Sequence, residues 1–171
     1  MKSILSSNEK AVFEVVFNKH DPDIKLLSQG LTGKLIDKEG NIVKDEPDMR
    51  FVSKLKSTGL KKISDSLAST ARSLRLDIQN PPKKYSEKIK ACLKGLNFML
   101  NAKIYVIYLL NEGPIAWYDH ESKTCKECTA GGICVKTLNH IMDERNLPLP
   151  DNLQTKSVEE KAEWVFGQIL G

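Results

Sequence analysis

Three cysteines fall within ten residues, in Cys125-Lys126-Glu127-Cys128-Thr129-Ala130-Gly131-Gly132-Ile133-Cys134. A two-residue gap lets two thiolates point at one ion, or at two irons of one cluster. The five-residue gap, with two glycines for backbone freedom, brings a third thiolate round to the same centre. Clustered cysteines in a reducing compartment bind metal more often than they pair as disulfides. The remaining cysteine, Cys92, lies 33 positions before Cys125. Two readings of it stand side by side: the fourth thiolate of a [4Fe–4S] cluster, or a small buried hydrophobe on an apolar helical face. Zinc is the second metal reading, in a Cys3His set completed by His120 or His140.

Catalytic motifs are not evident. The chain has no phosphate-cradling glycine loop, no His-Glu-x-x-His and no Gly-x-Ser-x-Gly elbow. Glu159, Glu160 and Glu163 sit at a capped helix start, where they favour the helix dipole without chemistry. A non-enzymatic protein is expected.

Charge gives the second set of candidate residues. The 171 residues carry a formal charge of +4, with 26 Lys and Arg against 22 Asp and Glu. That balance is uneven: residues 1–90 hold 18 bases and 12 acids, while residues 91–171 hold 8 and 10. From Arg50 to Lys90 there are eleven bases and three acids. Lys54, Lys61, Lys62, Arg72, Arg75, Lys83, Lys84 and Lys88 are expected off the apolar face, as a surface for nucleic acid or an acidic partner. No aromatic residues interleave to make a base-stacking platform.

These groups need elements to place them. Glu9–Asn18 is predicted as a helix, and Asp23–Gln29 as a further turn or two ended by Gly30. Leu35-Ile36 and Ile42-Val43 flank a hairpin turn at Asp37–Asn41. Phe51–Arg75 reads as helical, with Leu60, Ile63, Leu67, Ala71 and Leu74 on one face and Gly59 splitting it in two. After Asn80-Pro81-Pro82, a helix is predicted over Ser86–Leu100 through Ile89, Cys92, Leu93, Leu96 and Leu100. Lys103–Leu110 is a strand, Asn111–Pro114 a turn and Ile115–Tyr118 a returning strand. Val135–Asn146 is a helix, and Ser157 with Glu160 caps a last one.

Helix then hairpin is the ending of a winged-helix domain, so the expected fold is mainly α with a small β-hairpin. Residues 1–119 form a winged-helix-type domain and 120–171 a small cysteine-ligated iron–sulfur domain. With 40% hydrophobic residues, neither a wholly disordered chain nor a disulfide-stapled scaffold fits. Met1–Leu5 runs straight into Ser, Ser, Asn and Glu, unlike a secretory signal, and no apolar run approaches the roughly 20 residues of a membrane helix. A soluble, cytoplasmic, nucleoid-associated protein is expected.

From about Tyr85 to Asn139, the chain resembles the beta subunits of archaeal transcription factor E and the related iron–sulfur winged-helix subunit of eukaryotic RNA polymerase III. The resemblance rests on Ile104–Tyr108 as wing strand, the Gly113-Pro114 turn, and Cys125, Cys128, Gly131, Gly132 and Cys134. It implies a winged helix that pairs with the factor's alpha subunit, a [4Fe–4S] domain, binding of the heterodimer to the polymerase clamp, and help in melting promoter DNA. The polymerase III relative has a further cysteine about ten residues after the third; this chain has none there, and Cys92 is the substitute. Endonuclease III-like glycosylases and Cas4/AddB-like nucleases share the cysteine spacing and form the enzymatic alternative. The glycosylases place their upstream cysteine much nearer the run, and this chain lacks the nucleases' acid, Glu-x-Lys and Gln-x3-Tyr series.

Overall fold

A computed structural model describes residues 3–78, 90–120 and 131–171. Helices dominate, around a small four-stranded antiparallel sheet.

Helix α1 spans Ser7–Asn18. It starts two residues before the expected Glu9 because Ser6 and Glu9 form a reciprocal capping box, legible in Ser6-Ser7-Asn8-Glu9. Helix α2 follows at Ile24–Gly30, capped by Asp23. The expected hairpin at Asp37–Asn41 is a single bridge between Ile36 and Ile42. Its turn is held by Asp37 Oδ1, which accepts from the Glu39 and Asn41 amides.

Helix α3, Met49–Ser73, is unbroken across Gly59. The expected split fails because Gly59 is there for packing. A Cβ at that position would lie 2.5 Å from the ring of Phe13, which is fully buried. The glycine lets α1 and α3 approach closely. Val52, Ile63, Leu67 and Ala71 bury the rest of that face.

The sheet comprises β1 (Asp77–Ile78), β2 (Cys92–Asn97), β3 (Ala102–Leu109) and β4 (Gly113–His120), a meander in that order. Of the helix predicted over Ser86–Leu100, residues 86–89 lie outside the described residues, and Cys92–Asn97 is a strand instead, paired along its length with β3. A short apolar run carries both periods at once, and pairing decides between them. Cys92 points to one side of the sheet and Leu93 to the other. Gly95 tightens the contact with β1, since a Cβ there would sit 3.0 Å from the Asp77 carbonyl oxygen. The winged-helix expectation loses the helix it placed before the hairpin.

Strand β3 explains the architecture. Ala102, Ile104, Val106 and Tyr108 join a core with α1 and α3, while Tyr105, Ile107 and Leu109 face the opposite way. Such an almost continuous apolar run is what a strand covered on both faces requires. The second cover is α4 (Gly131–Glu144) and α6 (Val158–Leu170), with the short α5 (Asp151–Gln154) between them. Phe166 of α6 stacks on Tyr105 at 4.1 Å between ring centroids. Helix α6 begins with the predicted Ser157–Glu160 capping box.

The expected domain boundary at 119/120 falls at the end of β4, yet the second core takes residues from both sides of it. The C-terminal helices therefore share their apolar core with the sheet. Among the described residues, no helix is long and apolar enough to cross a membrane.

Candidate functional site

The cations of α3 divide according to the helix's own geometry. At 1.5 Å per residue and 3.6 residues per turn, positions seven or eleven apart return to nearly the same face. Lys54, Lys61 and Arg72 are such positions, and all three are exposed, as is Arg50 one turn before Lys54. The stripe they form runs roughly 33 Å from Arg50 to Arg72, on the side away from the sheet. Exposed Ser53, Ser57 and Ser69 flank it, and Asp65 interrupts it once. Arg75, just past the helix end, is also exposed.

Lys62 does something else. Its Nζ lies 2.7 Å from Glu9 Oε2, and Glu9 is only 4% exposed. The same carboxylate accepts from the Ser6 amide at 2.7 Å and from the Thr58 hydroxyl at 3.1 Å. Burial pushes the Glu9 carboxyl up, but the bonds from Lys62 and Ser6 and the Lys62 charge outweigh it and hold it below its ordinary 4.5. Lys62 is thus a bolt between α1 and α3, although its side chain stays 43% exposed. Lys83, Lys84 and Lys88 lie outside the described residues.

The chain matches no protein-family model, no curated protein and no solved structure.

Of the four cysteines, Cys125 and Cys128 lie outside the described residues, while Cys92 and Cys134 lie within them. Helix α4 starts four residues earlier than the expected Val135, so Cys134 sits in its first turn instead of a loop. There it is partly buried, at the dipole end that favours negative charge, and directly after the segment that holds its two partners in the motif. That placement fits a metal ligand. Cys92, at the start of β2, is fully buried. Burial pushes its thiol up to about 12 against the pull of Arg145 and Lys90. It is therefore a neutral thiol whose proton a metal must displace before it can bind. Cys92 and Cys134 nonetheless pack into one apolar cluster beneath α4, although 42 positions separate them.

The two histidines of the zinc alternative lie on different elements, His120 on β4 and His140 on α4. His140 Nδ1 lies 2.8 Å from Glu112 Oε1. It follows Cys134 by six positions on α4, which turns it about 120° away. His120 ends β4 and stacks on Tyr118.

Sequence reasoning missed Arg145, which ties the layers together. It is 5% exposed; its Nη2 donates to the Tyr108 carbonyl oxygen at 2.7 Å and its Nη1 meets Glu144 Oε1 at 2.8 Å. The guanidinium lies 3.4 Å from the centre of the Phe17 ring, so α1, β3 and the end of α4 converge on one side chain. Glu144 in turn accepts from the Leu110 amide. The adjacent Glu144-Arg145 pair at a helix end was the only available signal, and it looks like any solvated helix terminus.

Proposed function

We propose that this chain is a non-catalytic nucleic-acid-binding subunit acting in transcription initiation, with its cysteine motif holding a structural iron–sulfur cluster. The observation that carries the reading is the α3 stripe of Arg50, Lys54, Lys61 and Arg72, on one exposed face of an uninterrupted helix. Cations presented along one face of a rigid rod neutralise backbone phosphates and read no base edges. Binding without sequence preference is what a factor assisting melting at many promoters needs. The transcription setting, with an alpha-subunit partner and the polymerase clamp, comes from the resemblance of the cysteine segment and β3.

Cys125, Cys128 and Cys134 would hold the cluster, with Cys92 as the fourth thiolate from the strand beneath. Bound there, the cluster would supply a covalent staple between the end of the sheet and α4. Lys54, Lys61 and Arg72 would neutralise phosphates, and Lys62 with Glu9 would keep α3 fixed on α1.

Pull-down of polymerase and the alpha subunit, alongside glycosylase and nuclease assays on duplex DNA, tests the assignment. Retention of both partners with no strand or base cleavage is expected. Cleavage without polymerase binding would overturn it in favour of the enzymatic alternative.

A further inference from the structure

The turn joining β2 to β3 carries three consecutive large apolar side chains in solvent. Phe98 is 75% exposed, Met99 79% and Leu100 51%. Turns ordinarily use Gly, Asn, Asp, Pro or Ser at such positions. This turn is fastened at its base. Asn97 is buried, its Nδ2 donating to the Leu74 carbonyl oxygen at 2.8 Å and its Oδ1 accepting from the Leu100 amide at 2.9 Å. Asn101 closes it in the left-handed conformation, at φ 46°. The apolar side chains are thus presented by a polar clasp that also ties the turn to the end of α3.

Cations stand beside them. Arg75 reaches the turn, with its Nη1 3.7 Å from Met99 Sδ, and Arg72 lies one turn back on α3. Beyond Arg72 the exposed charges recede along the helix through Lys61 and Lys54. Apolar tips that enter a bilayer want cations ringed in one plane about the tip. Here the charges trail away from the tip along α3, an arrangement that meets an extended polyanion and not one plane of headgroups.

Resting on the nucleic-acid reading above, we infer that Phe98, Met99 and Leu100 form a wedge that enters the minor groove of a duplex held by α3. Inserted Phe, Leu and Met side chains unstack a base step and kink the duplex, while adjacent arginines hold the phosphates on either side. Flexible pyrimidine–purine steps such as TA deform most readily, which gives a site preference with no base contact. A kinked, unstacked step is also a starting point for strand opening.

The test uses the full chain and a mixed-sequence duplex with 2-aminopurine at a TA step and a fluorophore at each end. Wild type is expected to raise 2-aminopurine emission and shorten the end-to-end distance. The triple variant Phe98→Ser/Met99→Ser/Leu100→Ser changes only exposed side chains. It should keep the salt dependence of binding, lose both optical signals, and bind about tenfold more weakly. Unchanged emission and distance in the variant would overturn the wedge while leaving the phosphate-binding helix standing. So would a variant that loses only flotation with vesicles of anionic lipid, or only self-association in sedimentation. If wild type binds no duplex, the wedge and the nucleic-acid reading fall together.

Discussion

Glu9 and Arg145 show how two buried charges are made tolerable by different means. Glu9 is matched by Lys62, a backbone amide and a hydroxyl, and its carboxyl is held below its ordinary 4.5. A carboxylate depressed by folding adds stability above its unfolded value, and that stability disappears as pH falls through the folded value. Wild type should therefore lose its margin over Glu9→Gln as pH drops below 4.5, measured by urea unfolding across an acid series. A constant difference between the two proteins would refute the pairing. Arg145 has less compensation, because burial lowers its pKa to about 10 even with Glu144 beside it. Replacing it with Met strands Glu144 and should cost about 3–5 kcal/mol. Adding Glu144→Gln should recover part of that loss. At the cysteines, anaerobically purified protein should carry about four irons and matching sulfide per chain. Cys134→Ser should lose them, and so should Cys92→Ser if the buried thiol is the fourth ligand. Stoichiometric zinc would contradict the cluster.

At the scale of elements, Gly59 is the sharpest case. Ala in its place would gain about 1 kcal/mol of helix propensity. The new methyl would also press on the buried Phe13 ring, at a cost of about 1–3 kcal/mol. Net destabilisation is expected by denaturant titration, relieved when Phe13→Leu is added. A sequence read without its partners sees Gly59 only as a helix breaker. The same blindness turned Cys92–Asn97 into a helix, because its strand character comes from pairing with β3 and not from its own residues. Strand β3 and the capped α6 were legible, since β-branched density and a Ser157–Glu160 box are local signals. The stripe on α3 was legible as charge. That Lys62 also pairs with Glu9 was not, because this pair forms across 53 positions. The Phe98–Leu100 tip was invisible in a segment read as the end of an apolar helix face.

Among the described residues, a helical layer covers each face of the sheet, and Cys134 and the α3 cations lie on opposite layers. Cys134 lies in the first turn of α4 over one core, and the cationic stripe runs along α3 over the other. On the proposed reading, a cluster held at the cysteines staples the first layer, and its removal should lower unfolding stability more than duplex affinity. Phosphate binding by α3, as proposed, is tested by a salt titration of duplex affinity. Wild type should show log K falling linearly with log salt. Lys54→Ala/Lys61→Ala/Arg72→Ala should flatten that slope by about three units, at unchanged unfolding stability. An equal slope and equal affinity in the variant would contradict it.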